Sequence, residues 1–241
     1  MSKSKRKATL ARSEGTPDIE SIKLPKGLRW DMLPPLPLAY KTPRRLITRS
    51  GARVRGANLH PRFGSCQWES GIERNFYALL AVVRSVLLVF SQPLVLRLDA
   101  GDYTPDALVF LADGRRVWVE CKYEKDLDPE TVIKLGQAAS IFANVGDRFV
   151  VAKDYHLSDD LPQVKNAHLF GNWYSSTPDH FTEPLREGTY AELSARHGRQ
   201  AVNRAIARGD LSMDFSSDVT ETTHIWPTEG GTGYEPTFLH A

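Results

Sequence analysis

The stretch Asp102-Tyr-Thr-Pro-Asp-Ala-Leu-Val-Phe-Leu-Ala-Asp-Gly-Arg-Arg-Val-Trp-Val-Glu-Cys-Lys-Tyr123 decides the fold of this chain. Two runs rich in β-forming residues flank Asp113-Gly114, a pair that is the strongest short-range signal for a β-hairpin. The first run begins with Pro105-Asp106, and the second ends with Glu120-Cys121-Lys122. We therefore expect a hairpin whose open end gathers two carboxylates and a lysine.

The pattern around this hairpin predicts an α/β sandwich with a mixed sheet. A strand, a helix and a strand that follow one another at this length favour a parallel pair with a right-handed crossover. In chain order the expected elements are a helix at about 70–84, strands at 86–91 and 94–98, the hairpin strands at about 104–111 and 116–123, a helix from Asp128-Pro129 to about Asn144, and a strand at 148–153. The buried stripe of the second helix is expected to include Val132, Leu135, Ala139 and Phe142.

Composition narrows the class of protein. The chain has 241 residues, of which 41% are hydrophobic, and its apolar runs are far shorter than the roughly 20 residues that span a bilayer. The N-terminus lacks the apolar core of a signal peptide. Cys66 and Cys121 have no metal-ligand spacing, which excludes a cysteine zinc site and favours a reduced setting. We expect an intracellular, cytoplasmic protein with no membrane partner.

The charge is unevenly distributed along the chain. Residues 1–60 carry 14 Lys and Arg against 4 Asp and Glu, whereas residues 61–241 carry 17 against 25. A basic segment of this kind favours a polyanion such as nucleic acid, although a solubilising tail has the same composition. The forked guanidinium of arginine suits phosphate. The residues predicted to bind the DNA backbone are Arg44, Arg45, Arg49, Arg53 and Arg55.

Three units follow from these patterns: a basic arm with an extended segment at 1–60, the core at 61–160, and a small helical unit with a tail at 161–241. The stretch 155–181 is rich in loop-forming residues. Two short helices that meet near Gly198 have helix-turn-helix spacing. On that interpretation Arg196, Arg199, Arg204 and Arg208 face a nucleic acid; an accessory helical pair that only packs or recruits a partner is equally supported.

The hairpin spacing sets a geometric condition. A two-residue turn at Asp113-Gly114 places Asp106 opposite Cys121, so that Asp106 and Glu120 point to opposite faces of the sheet. The two carboxylates share a face only if the turn has three residues with a glycine bulge, or if a bulge lies near Asp106. We predict such an irregularity.

Asp106, Glu120 and Lys122 supply the groups that metal-dependent hydrolysis of a phosphodiester needs. Mg²⁺ keeps several waters and needs few carboxylates, and a lysine can position the attacking water or help to deprotonate it. Glu73 is a candidate third acid, and the backbone carbonyl of Cys121 a further ligand.

Each of these residues also has a structural interpretation. Ser70 and Glu73 have the spacing of a capping box, so Glu73 could simply close the N-terminus of the helix. Asp106 could only start a strand. Glu120 and Lys122 could be an exposed pair on one strand face.

Four separated motifs occur in order over about residues 62–155. They are Glu69-Ser-Gly-Ile-Glu73-Arg-Asn-Phe, Phe90-Ser-Gln92-Pro93, Tyr103-Thr104-Pro105-Asp106 and Val119-Glu120-Cys121-Lys122. Together they resemble the TnsA family of the PD-(D/E)xK nuclease superfamily. The resemblance implies a restriction-endonuclease-like core and a C-terminal helical unit of helix-turn-helix or winged-helix type. It selects Glu73 over Glu69 and strengthens the assignment of Asp106, Glu120 and Lys122.

TnsA is the endonuclease subunit of a heteromeric transposase. The resemblance therefore implies a Mg²⁺- or Mn²⁺-dependent hydrolase that cuts double-stranded DNA at the 5′ ends of a transposon. Its implied partners are a TnsB-like transposase and a TnsC-like ATPase. Two other functions stay open: a standalone nuclease of the same superfamily in restriction or repair, and a DNA-binding assembly protein that does not cleave.

Overall fold

The computed structural model describes residues 23–35, 39–41, 56–60, 62–175, 177, 179–181, 183–228 and 234–239. The five arginines predicted to bind the DNA backbone, Arg44, Arg45, Arg49, Arg53 and Arg55, lie outside the described residues.

The strands of the described residues are, in chain order, β1 (Ala39–Lys41), β2 (Gly56–His60), β3 (Gly64–Trp68), β4 (Val86–Ser91), β5 (Val95–Leu98), β6 (Gly101–Tyr103), β7 (Ala107–Leu111), β8 (Arg116–Lys122), β9 (Arg148–Lys153), β10 (Gly188–Thr189), β11 (Leu211–Met213) and β12 (His224–Pro227). The α-helices are α1 (Gly71–Val82), α2 (Pro129–Asn144), α3 (Asp154–Leu157), α4 (Pro162–Gly171), α5 (Tyr190–His197) and α6 (Arg199–Arg208).

A four-stranded mixed sheet of order β4-β7-β8-β9 forms the centre of the fold. β7 runs antiparallel to both β4 and β8, whereas β8 and β9 are parallel. The chain passes from β8 to β9 through α2, the kind of crossover that a parallel pair requires. The predicted α/β core with a mixed sheet and flanking helices is confirmed.

The central strand β8 is buried on both faces. On one face Val117, Val119 and Cys121 pack in an apolar cluster that includes α1. On the other face Trp118 packs in a second cluster with α2, where its ring stacks on Phe142 at 4.3 Å between centroids. Successive strand residues point to opposite faces, so one strand can serve both clusters. Removal of a fully buried ring such as Trp118 typically costs about 3–5 kcal/mol.

The second helix begins as its sequence predicts. The side chain of Asp128 accepts a hydrogen bond from the Thr131 N–H, and Pro129 occupies the first turn, where its missing N–H has no cost. The predicted buried stripe is partly wrong, because Val132 is 54% exposed and the buried residues are Leu135, Ala138 and Phe142. The ring of Phe142 stacks between Trp118 and Phe149, and this contact sets which face of the helix meets the sheet.

A separate sheet of three strands joins the N-terminal part of the chain to the core. Its order is β1-β5-β6, with Leu96 paired to Ala39 on one side and to Tyr103 on the other. The strand β6 then leads directly into Pro105-Asp106. Neither β1 nor the β2–β3 hairpin was predicted from the sequence, since both lie where polar and basic residues obscure strand periodicity.

The C-terminal unit shares a core with the first helix. α4 and α6 pack on α1, and Leu193, Val202 and Ile225 lie in the same buried cluster as Phe76. A small antiparallel sheet of order β10-β12-β11 accompanies α5 and α6. The stretch 155–181, expected to be loop-rich, contains α3 in part and the whole of α4.

The turn of the central hairpin has three residues. The Leu111 N–H donates to the Arg115 carbonyl at 2.9 Å, and the Gly114 N–H donates to the Leu111 carbonyl at 3.0 Å. Gly114 has a φ of 87°, the left-handed conformation of a glycine bulge. The register pairs Ala107 with Val119, and continuing it by one residue places Asp106 across from Glu120. The predicted irregularity is confirmed.

Substitution of the turn glycine tests how strongly this register depends on it. A side chain at Gly114 meets no neighbouring atom within 4 Å, so the strain of Gly114→Ala comes from the positive φ alone. We expect the free energy of unfolding in urea to fall by about 1 kcal/mol. Gly136→Ala is the matched control, because Gly136 lies inside α2 with equally open surroundings; there alanine should stabilise by roughly 0.5–1 kcal/mol. Effects of equal sign would contradict this account.

Candidate active site

The open end of the β7–β8 hairpin brings the two predicted carboxylates together. Asp106 is partly buried, and its Oδ2 accepts a hydrogen bond from the Cys121 N–H at 2.8 Å. That bond ties the start of β7 to the end of β8. It also uses only one of the two oxygens, since Asp106 Oδ1 has no hydrogen-bond partner among the described residues.

Two donors hold the backbone of Asp106 in place. Its carbonyl accepts hydrogen bonds from the Tyr77 hydroxyl at 2.7 Å and from the Gln92 N–H at 2.9 Å. Tyr77 belongs to α1, so the helix and the hairpin are joined at this residue. Gln92 has a φ of 42°, a conformation that is uncommon for a residue other than glycine and is often found at functional sites.

Glu120 is held at both oxygens. The Tyr103 hydroxyl donates to Oε2 at 3.0 Å, and the Lys122 Nζ lies 3.0 Å from Oε1. Glu120 is 5% exposed, so its charge is largely removed from water. Lys122 remains about one-third exposed and can therefore reach a molecule in solvent.

Glu73 reaches the cluster from the first turn of α1. Ser70 is the N-cap residue, and its hydroxyl oxygen accepts a hydrogen bond from the Glu73 N–H at 3.3 Å. The Glu73 carboxylate in turn accepts from the Ser70 hydroxyl at 2.8 Å and from the Glu69 N–H at 2.9 Å. The capping contacts anticipated for Glu73 are therefore present, and its predicted role as a ligand stays a prediction.

Burial and mutual repulsion dominate the electrostatics. Burial raises the pKa of Asp106 well above its usual value, and the nearby carboxylates of Glu120 and Glu73 raise it further. Burial also raises the pKa of Glu120, although Lys122 and Tyr103 act in the opposite direction. Burial raises the pKa of Glu73 as well, against hydrogen bonds from Glu69 and Ser70.

Lys122 supplies the positive charge nearest to these acids. Burial lowers the pKa of its ammonium, but Glu120, Asp106 and Glu73 outweigh that effect and the pKa is raised overall. One ammonium faces three carboxyl groups. A single positive charge therefore does not neutralise all three carboxylates when they are ionised.

The donor set fits a hard divalent cation in its chemistry. Mg²⁺ and Mn²⁺ prefer oxygen ligands such as carboxylates, and Mg²⁺ also keeps several waters in its coordination shell. Within the described ranges, no group of three or more His, Cys, Asp or Glu side chains is arranged to hold a metal ion.

The arginines of the C-terminal helices are engaged within the protein. Arg199 pairs with Glu221, while Arg204 and Arg208 both contact Asp179. α6 is largely buried against the core. Three of the four arginines expected to face a nucleic acid are thus neutralised by acids, a pairing that helical periodicity cannot reveal.

Three residues at the site had no role in the sequence interpretation: Tyr77, Gln92 and Tyr103. Tyr77 occupies the face of α1 turned to the hairpin. Gln92 and Tyr103 lie within the quoted motifs. Gln92 directly precedes Pro93 and Tyr103 lies two residues before Pro105, and these positions were the available signal. Only the packing of separate elements shows which atoms they contact.

No protein-family model matches this chain, and no curated protein matches it either. Among the helices of the described residues, none combines the length and apolar character needed to cross a bilayer.

The raised pKa of Asp106 predicts a pH-dependent gain in stability for Asp106→Asn. A carboxyl group with a raised folded-state pKa contributes stability below its unfolded pKa of about 3.9, and this contribution is lost as pH rises through the folded pKa. The variant does not titrate and can still accept the Cys121 N–H. Its free energy of unfolding relative to wild type should therefore grow from about pH 4 upward, reaching on the order of 1 kcal/mol.

Urea denaturation between pH 4 and pH 8 measures this difference. Asp126→Asn is the control, because Asp126 is exposed and lies three residues beyond Tyr123. At each pH the stability change of Asp106→Asn is compared with that of this control. A constant offset for Asp106→Asn across the range would show that the pKa of Asp106 is not raised in the folded protein.

Proposed function

We propose that this chain is a metal-dependent DNA endonuclease. The observation that carries the proposal is the convergence of Glu73, Asp106 and Glu120 with Lys122 at one end of the hairpin. A cluster of acids with raised pKa values beside a single ammonium lowers the stability of the fold. Because folds retain such clusters mainly at functional sites, this one is a candidate site. The basic composition of residues 1–60 supports a polyanionic substrate.

Asp106 and Glu120 would hold the ion, with Glu73 and the Cys121 carbonyl as further candidates. When bound, a divalent cation would offset phosphate charge and make a water more acidic. Lys122 is suited to orient that water or to contact a phosphate oxygen, because its ammonium is partly exposed and its raised pKa keeps it protonated.

The motif resemblance narrows the proposal to a TnsA-like subunit of a transposase, which cuts the 5′ ends of a transposon with a TnsB-like partner and contacts a TnsC-like ATPase. The element order supports a winged-helix-like C-terminal unit, since α5 and α6 meet at Gly198 and are followed by the β11–β12 pair with β10 at its side. With Arg204 and Arg208 paired to Asp179, a protein partner suits α6 better than a DNA groove does.

A second candidate is a DNA-binding assembly protein that does not cleave. The hydrogen bonds that occupy Glu73 and both oxygens of Glu120 favour it, because they satisfy these acids without an ion. The two candidates differ in whether DNA is cut.

Cleavage of duplex DNA carrying transposon ends, in Mg²⁺ or Mn²⁺ and with or without a TnsB-like transposase, tests the proposal. Asp106→Ala and Lys122→Met should each reduce the cleavage rate by about 100-fold or more, the usual effect of removing a group that stabilises the transition state. Lys125→Met is the matched control, since Lys125 is exposed and lies over the ring of Tyr123.

The outcomes separate the candidate functions. Partner-dependent cutting at 5′ ends that Asp106→Ala abolishes supports the transposase subunit. Cutting without the partner indicates a standalone nuclease. DNA binding with no cutting under any condition would support the assembly protein and contradict the endonuclease.

A further inference from the structure

We propose that Tyr103 is a positioning residue that holds the Glu120 carboxylate in the orientation in which it binds a divalent cation. The inference rests on the proposed function, because it takes the cluster of Asp106, Glu120 and Lys122 to be an ion site. Tyr103 itself would contact neither the ion nor the DNA.

The contact between the two residues is direct. The Tyr103 hydroxyl donates to Glu120 Oε2 at 3.0 Å, while the Lys122 Nζ lies 3.0 Å from Oε1. Each oxygen of the carboxylate is thus held by a different donor. A glutamate side chain has several rotatable bonds, and two such contacts restrict them before any ligand arrives.

Tyr103 is itself held firmly. It is 5% exposed and packs in the apolar cluster that contains Trp118 and Phe142. Its ring meets Phe149 edge to face at 6.2 Å between centroids. Its backbone pairs with Leu96 in the β1-β5-β6 sheet. The hydroxyl therefore comes from a rigid scaffold that is separate from the strand carrying Glu120.

The chemistry of the contact is compatible with an ion at the same carboxylate. Each carboxylate oxygen has two lone pairs, so Oε2 can accept the Tyr103 O–H and still face a cation. The phenolic O–H of Tyr103 serves as the hydrogen-bond donor in this contact. Groups that orient metal ligands in this way commonly change metal affinity by 10–100-fold when they are removed.

Calorimetric titration of the full-length protein with Mn²⁺ tests the inference without relying on cleavage. Tyr103→Phe keeps the ring and removes only the O–H, and we expect its Mn²⁺ affinity to fall about 10–100-fold. Tyr155→Phe is the matched control, because Tyr155 is 57% exposed; its affinity should equal that of wild type. DNA affinity without divalent ions should be the same for all three proteins, and urea unfolding shows whether each is folded.

A double-mutant cycle separates orientation of Glu120 from a general loss of structure. Glu120→Gln should weaken Mn²⁺ binding, and adding Tyr103→Phe to that variant should weaken it no further. A second, independent loss in the double mutant would overturn the inference, as would a folded Tyr103→Phe with wild-type Mn²⁺ affinity.

These results are distinct from a failure of the proposed function. If wild type cuts DNA in Mg²⁺ and Tyr103→Phe binds Mn²⁺ normally, the inference fails and the endonuclease stands. If wild type binds Mn²⁺ through Glu120, Tyr103→Phe weakens that binding and wild type cuts no DNA, the endonuclease fails and the positioning role stands. A wild type that binds no Mn²⁺ overturns both.

Discussion

Burial of three neighbouring carboxyl groups is the constraint on which the arrangement of this site depends. Glu73 comes from α1, Asp106 lies at the start of β7 and Glu120 belongs to β8. After burial, Glu120 and Glu73 raise the pKa of Asp106, and Glu73 raises the pKa of Glu120. Such an arrangement persists only where the surrounding fold compensates for it. Here the compensation comes from Lys122, from Tyr103 and from backbone N–H groups, all of which occupy fixed positions.

The two-sided core explains how those positions are fixed. β8 places Val117, Val119 and Cys121 against α1 and Trp118 against α2, so the strand cannot rotate or slide without exposing one of the clusters. With the strand immobile, Glu120 and Lys122 emerge at its end on one face. The helix α1 then contributes Tyr77 to the backbone of Asp106 and Glu73 to the edge of the cluster.

Local signals predicted the local structure well. The capping residues Ser70 and Asp128 and the strand bounds of β4 and β9 follow from side chains close in sequence. The irregular turn was predicted instead from the requirement that Asp106 and Glu120 share a face of the sheet. The contacts that complete the site do not follow from neighbouring side chains, because they join segments that are distant in sequence: Tyr103 reaches Glu120 from β6, and Gln92, at the end of β4, donates to the backbone carbonyl of Asp106 at the start of β7. The exposed Val132 has the same origin, since ring stacking in the second cluster, rather than helical periodicity, chose the buried face of α2.

The turn at Gly114 has a consequence for how this protein can diverge. Side chains at 112 and 113 can vary without disturbing the core, because neither position is buried. The number of residues between Leu111 and Arg115 has no such freedom, since one insertion or deletion would exchange the inward and outward faces of β7 relative to β8. In homologous sequences, a change in turn length should be tolerated only when a compensating bulge restores the pairing of Ala107 with Val119.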